Sequence, residues 1–171
     1  MTTLVADASA LVSLGSVADS EPDPLARCLD GYDVIVPEAV RRELEEIAAY
    51  DDVHGRAATT VLDRTDSFTT QSASLDTEFP LDDGENAAVT LANEREAALF
   101  LCDEFNHLGL IHAPLANTRL VTTPTLLSVF VQTGQLSAHD ARELLDEIGD
   151  ARSWNASSYV RRARSLLEDM D

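Results

Sequence analysis

Four carboxylates stand at places in this sequence where chemistry can use them. Asp7 closes the apolar run "TLVA", and Asp103 closes "AALFLC", with Glu104 directly behind it. Short apolar runs of this kind read as buried strands, and in open α/β sheets chemistry gathers at the carboxyl ends of strands. Glu43 belongs to "PEAVRRELEEIAAY", whose apolar stripe is Val40, Leu44, Ile47 and Ala48. It lies on the margin of that stripe, whereas Glu45 and Glu46 point away. Glu85, in "LDDGENAAVTLA", leads Ala88, Val89 and Ala92 by one turn and so heads their buried face. Asp83 is off that line.

Like charges held together in a semi-buried cleft are costly unless a cation neutralises them. Hard oxygen ligands suit Mg²⁺ or Mn²⁺. Such a cluster can activate a water and clamp a phosphate for phosphodiester hydrolysis. Each acid also has a plainer role. Asp7 suits a helix N-cap. Asp82 and Glu85 have capping-box spacing. Glu43 suits a solvated helix face, and Asp103 a turn at a strand end. The residues alone leave both readings open, although four coincidences are less expected than one.

The elements that must position these acids alternate. "TLVA", "DVIV", "AALFLC" and "RLVTT" read as strands, and "SFTTQ" as one more. Helical patterns separate them: "ASALVSLGSVA", "PEAVRRELEEIAAY", "GRAATTVLDR", "GENAAVTLANERE" and "PTLLSVFVQTG". The class is therefore α/β with a mainly parallel sheet. Two helices follow, "SAHDARELLDEIG" and "ASSYVRRARSLLEDM". Pro37 is expected in the first turn of its helix. "SEPDP" reads as a loop before a short helix.

The chain has 171 residues, enough for one domain with a real core. Its 31 acids oppose 12 bases, a formal charge of -19, and every base is arginine. With 44% hydrophobic residues in periodic patterns, disorder is not expected. A dense carboxylate surface without lysine suits a cytoplasm of very high salt, as in haloarchaeal proteins, where self-repulsion is screened. The basic footprint of a nucleic-acid binder is missing from the totals, but molar salt weakens that test. Cys28 and Cys102 read as reduced core residues. No signal peptide or membrane-spanning run is visible, so a cytoplasmic location is expected.

The absence of lysine excludes several sites on similar sheets. Receiver domains, haloacid-dehalogenase-type phosphatases and Walker-A nucleotide sites all use one. The phosphatases also need an Asp where this chain has Ser9. Cys102, His107 and His112 are spaced to fall on different faces, which argues against zinc. His54 and His139 read as surface residues. Arg161, Arg162 and Arg164 form the densest basic patch, on a helix whose stripe Tyr159, Ala163, Leu166, Leu167 and Met170 reads as packing on the domain or across a dimer.

At the four acids the sequence resembles the PIN-domain family of metal-dependent ribonucleases. The pieces occur in order: "VADASALVSL", "VPEAVRREL", "LDDGENAAVTLA" and "LFLCDE". "TPTLLSVFVQTGQLS" and "LLDEI" are similar to one uncharacterised archaeal and bacterial subgroup. The resemblance implies a three-layer α/β/α fold with a central mainly parallel sheet. It implies a pocket for Mg²⁺ or Mn²⁺ and RNA hydrolysis that leaves a 3′-hydroxyl. By position, Asp7, Glu43, Glu85 and Asp103 carry over as catalytic and metal-binding residues, with Glu104 as a further ligand and Asp82 a secondary candidate. Relatives of the subgroup often have a basic residue after the strand-end acids. In "CDEFNHLG" there is none, so positive charge must come from elsewhere, with Arg119 or a partner chain as candidates.

The expected protein is a single PIN-like domain over 1–171, with 137–171 a helical extension packed on it. It is expected to be an endoribonuclease, either the toxin of a toxin–antitoxin pair or an RNA-processing enzyme. RNA, an antitoxin protein and a second copy of the chain are the expected partners. The alternative is a catalytically inactive PIN-like module that binds RNA or protein.

Overall fold

A computed structural model describes residues 1–154 and 156–170. Strands β1 (Thr3–Ala6), β2 (Asp33–Pro37), β3 (Thr69–Gln71), β4 (Leu99–Leu101) and β5 (Arg119–Val121) form one sheet, ordered β3-β2-β1-β4-β5. Every pairing is parallel, with Val5 opposite Ile35 on one side and Ala6 opposite Leu101 on the other. Strand β1 covers all of "TLVA" and β2 runs one residue past "DVIV", whereas β3, β4 and β5 are shorter than the runs that announce them. Cys102 lies just past β4, and Thr122 caps the helix after β5.

Side-chain alternation assigns the helices to faces. Leu4 and Ala6, Val34 and Val36, and Leu101 share one core. It is covered by α1 (Ala8–Gly15), α2 (Pro24–Gly31), α3 (Glu38–Ala48), α4 (Val53–Leu62) and α7 (Thr123–Gln132). Helices α8 (Ala138–Arg152) and α9 (Ser158–Glu168) join the same core through Leu144, Leu145, Ile148, Ala163 and Leu167. Val5, Ile35 and Phe100 face the second core with α5 (Asp83–Glu94) and α6 (Leu108–His112). The result is three layers, α/β/α.

Strands β1 to β3 step outward on one side of β1, and the chain then returns to lay β4 and β5 on the other. The order therefore reverses between β1 and β4. A crevice opens at the carboxyl ends of strands at such a switch point, and Asp7 and Asp103 follow these two strands.

Two local expectations need correcting. Pro37 closes β2 in an extended conformation (ψ 145°) and stands at the N-cap of α3, so the first helical turn begins after it. His54 is half-buried, and its Nε2 lies 2.9 Å from the Ala151 carbonyl oxygen, linking α4 to α8. Cys28 and Cys102 are buried free thiols. Among the described residues no helix is long and apolar enough to cross a membrane.

Candidate active site

Asp7 leaves β1 and caps α1, with Oδ2 accepting the Ser9 hydroxyl at 2.7 Å and the Ser9 amide at 3.3 Å. The Ser9 oxygen in turn accepts the Asp103 amide at 3.0 Å. One hydroxyl thus joins the ends of β1 and β4. Asp103 Oδ1 accepts the Thr123 amide at 2.7 Å, at the start of α7. Both carboxylates are nearly shut from solvent, Asp7 3% and Asp103 6% exposed. Asp103 Oδ2 is buried without a hydrogen-bond partner among the described residues, which is unusual for a charged oxygen.

Three further acids close in from α3, α5 and the loop after β4. Asp82 Oδ1 accepts the Glu85 amide at 2.8 Å, while the Asp82 amide points back to Glu85 Oε1 at 3.4 Å. The capping box exists, yet it uses only one Glu85 oxygen. The other, Oε2, lies 3.3 Å from His107 Nδ1. Glu85 is 3% exposed, Glu43 and Glu104 are half-buried, and Asp82 and Asp83 are exposed.

The electrostatics tie Asp7, Glu43, Asp82, Glu85 and Glu104 into one cluster, with Asp103 joined to it through Arg152. Burial pushes Glu43 up to about 7, helped by the charges of Asp7, Asp82, Glu104 and Glu85. Burial likewise pushes Glu85 up to about 7, with Asp82 beside it. Asp7 is raised by burial against its Ser9 hydrogen bonds. Asp103 is raised by burial, opposed by the Thr123 amide, then by the nearby Thr123 and Ser13 hydroxyls, and last by the Arg152 charge. Glu104 is raised by burial and by Asp7, opposed by His107 and Arg152.

This donor set fits a hard divalent cation. It is all oxygen, crowded and negative, with one buried carboxylate oxygen left over. Among the described residues, only His139, Asp140 and Glu143 form a set whose ligand atoms all lie within 4.8 Å of one another, at the start of α8. The pocket carboxylates stand wider. That suits an ion such as Mg²⁺, which keeps several waters and takes only one or two carboxylates directly.

A further charged residue, Arg152, reaches these acids. It ends α8, is half-buried, and reaches Ser9 O with Nη2 at 3.4 Å. Burial lowers its pKa, while Asp103, Glu104 and Asp7 hold it up. Arg152 brings to these acids, from the end of α8, a positive charge that "CDEFNHLG" does not itself carry. Arg119 stands instead at the exposed amino end of β5, opposite Leu99, away from the end that Asp7 and Asp103 follow. Ser9 carried a weak signal, two residues after an acid at a strand–helix junction. Arg152 carried none, because its partner Ser9 is 143 residues away.

The raised carboxylates give the stability a definite pH dependence. Glu43 and Glu85 release protons near 7 in the folded chain and near the ordinary 4.5 when unfolded. The folded state thus holds more protons across that window, and its stability falls as pH rises through it. In molar KCl with chelator, the melting temperature is expected to drop between about pH 5 and pH 8. Glu43→Gln should flatten the drop, and Mg²⁺ or Mn²⁺ should oppose it. A melting temperature that climbs over this range in the wild type would contradict the cluster's electrostatics.

A family model described as a PIN domain matches residues 3–169. No curated protein matches the chain.

Proposed function

This chain belongs to the PIN-domain family, and we propose that it is a Mg²⁺- or Mn²⁺-dependent endoribonuclease. The observation that carries the reading is the pair Asp7 and Asp103. Both are buried just past the ends of β1 and β4, the Ser9 hydroxyl donates to the Asp7 carboxylate and accepts the Asp103 amide, and Asp103 Oδ2 is unpartnered among the described residues. In this reading Asp7 and Asp103 are the principal ligands of the divalent ion, and Glu43, Glu85 and Glu104 complete its site directly or through water. The ion, when bound, supplies water activation and neutralises charge on the phosphate.

The chain's own residues do the rest. Ser9 and Thr123 hold the two aspartates in one orientation. Glu43 and Glu85, with pKa values of about 7, can take or hold a proton at a carboxyl oxygen near neutral pH. His107 positions Glu85 through its second oxygen. Arg152 offsets the negative field so that a phosphate can approach. We read 1–171 as one domain, because α8 and α9 share the larger core and α8 delivers Arg152.

The test is cleavage of mixed RNAs in molar KCl, the condition that suits a chain of charge -19 without lysine. Wild type with Mn²⁺ or Mg²⁺ should cleave, and chelator should stop it. Equal cleavage by Asp7→Asn would sink the assignment. A toxin role adds a second expectation, that expression arrests growth and co-expression of an antitoxin relieves it.

Gly84 offers a sharper probe. A Cβ there would lie 2.8 Å from Glu43 Oε2 and 3.7 Å from Val40 Cγ2. The close neighbour is the tip of a flexible side chain, so Gly84→Ala is relieved by moving the Glu43 carboxylate. Alanine gains about 0.5–1 kcal/mol over glycine in a helix, so the variant should melt no lower than wild type. Cleavage should nevertheless fall about 10- to 100-fold, the usual scale for disturbing a metal site's surroundings. Unchanged cleavage would remove Glu43 from the site.

A further inference from the structure

Beside the carboxylates the fold builds an aromatic wall that the chemistry above does not use. Phe105 follows Asp103 by two residues and packs between two rings. Trp154 lies at a centroid distance of 5.1 Å, tilted by 56°, and Tyr159 at 5.5 Å, nearly parallel at 17°. Trp154 is buried, whereas Tyr159, the outer ring of the stack, is 48% exposed. The rings line a cavity of about 480 Å³ whose rim includes Asp103 and Glu104 themselves. Apart from Ala156, its other lining side chains are hydrogen-bonding ones, Asn106, Ser153, Ser157 and Ser158. Ser157 Oγ is buried without a partner among the described residues. Ser153 adopts the left-handed conformation (φ 59°) where α8 turns into this wall.

Tyr159 also lines a second groove, between α7 and α9, that carries Arg119 and Arg162. Two of the chain's 12 bases thus stand on the far side of the ring from the carboxylates. Flat apolar surface, side-chain amide and hydroxyl groups, and then positive charge form a sequence suited to one ligand. A nucleobase has a π-face to stack and an edge to hydrogen-bond, and its backbone carries phosphate.

We propose that the Phe105–Tyr159 cavity is a nucleobase subsite. An unpaired base next to the reacting phosphate stacks on Tyr159, and the strand continues toward Arg119 and Arg162. The identity of the ligand as RNA rests on the nuclease reading, but the subsite is tested by binding rather than by cleavage. A base within a duplex has both faces covered by its neighbours, so the subsite selects unpaired RNA.

The experiment measures fluorescence anisotropy of a labelled single-stranded RNA and of its duplex, in molar KCl with Mg²⁺. The protein is the full chain carrying Asp7→Asn to prevent turnover. Base–aromatic stacking contributes about 1–3 kcal/mol per base, so adding Tyr159→Ala should weaken single-strand binding about 5- to 150-fold. Tyr159→Phe keeps the ring and should bind as the parent does. The duplex should bind much more weakly than the single strand. Circular dichroism should show all variants folded, since Tyr159 is half exposed.

The proposal is overturned if Tyr159→Ala binds as tightly as the parent, if duplex and single strand bind alike, or if no RNA binds. It is equally overturned if Tyr159→Ala changes only the oligomeric state, which would make the ring a contact between copies. Cleavage by the wild-type chain is scored separately. Cleavage without Tyr159-dependent binding leaves the nuclease and removes the subsite. Tyr159-dependent binding without cleavage does the reverse.

Discussion

Asp7→Asn is expected to lower RNA cleavage at least about 100-fold, the scale of removing one group that stabilises charge in a reaction, while leaving the metal-free protein as stable as wild type or more so. Two separate arguments give the two halves. Asparagine is as good an N-cap as aspartate, and its carbonyl oxygen can still accept the Ser9 amide and hydroxyl that Asp7 accepts at 3.3 Å and 2.7 Å. The α1 terminus and the Ser9 link to Asp103 therefore survive. Burial raises the Asp7 pKa, and the Asp82 charge adds to it. An acid with a raised folded pKa contributes stability only while protonated, and that contribution is lost as pH rises through its folded value. Near neutral pH the amide removes an acid whose ionisation the fold opposes. The same change removes a ligand, so the rise in melting temperature on adding Mn²⁺ should shrink sharply. Thermal melts with chelator and with Mn²⁺, beside cleavage assays, read both halves. A variant that cleaves normally sinks the catalytic assignment, and one that melts far below wild type in chelator sinks the electrostatic argument.

The second large effect concerns a position outside the carboxylate pocket. Gly55→Ala is expected to destabilise the chain by about 3 kcal/mol or more, at the upper end of overpacking effects. Gly55 lies in the first turns of α4, where its amide is held by Asp52 Oδ1 at 2.7 Å. By helix propensity alone alanine should improve it by about 1 kcal/mol. A Cβ there, however, would lie 1.8 Å from the Tyr50 carbonyl oxygen, 2.8 Å from its carbon and 3.1 Å from Ile47 O. These are backbone atoms at the end of α3, so no rotamer change relieves the contact. The α3–α4 turn must open, and α3 carries Glu43. Urea unfolding in molar KCl measures the loss. Gly149→Ala is the internal control. It lies inside α8 with nothing within 4 Å of its Cβ position, so it should stabilise by about 0.8–1 kcal/mol. Equal midpoints for the two variants would refute the close-approach argument.

What could be read in the sequence was whatever local order encodes. Strand-end acids are legible because an apolar run followed by Asp is a local pattern, and the β1 and β4 ends are found there. Glu85 was legible from its helical face. Its two plain roles turned out not to compete, since one oxygen serves the cap and the other faces His107. Pro37 was placed one position too far into the helix, because an N-cap at the end of a strand and a first-turn proline share the same sequence signature. The spacing of the Tyr159 stripe predicts packing. Ala163 and Leu167 do pack, but Tyr159 and Leu166 stay half exposed, a distinction that depends on which face α7 and α8 cover. Arg164 is spent locally, paired with Asp146 and Glu168. Arg152 could not be foreseen at all, because helical periodicity says nothing about which distant residue a side chain will meet.

That last residue also orders events in time. Synthesis delivers the pocket's acids in the sequence 7, 43, 85, 103 and 104, and Arg152, their shared counter-charge, comes after all of them. A nascent chain that has passed Glu104 but not Arg152 holds every carboxylate of the pocket without the arginine that opposes them. On the nuclease reading, the pocket reaches its working charge balance only once α8 docks against α1 and brings Arg152 to the Ser9 carbonyl.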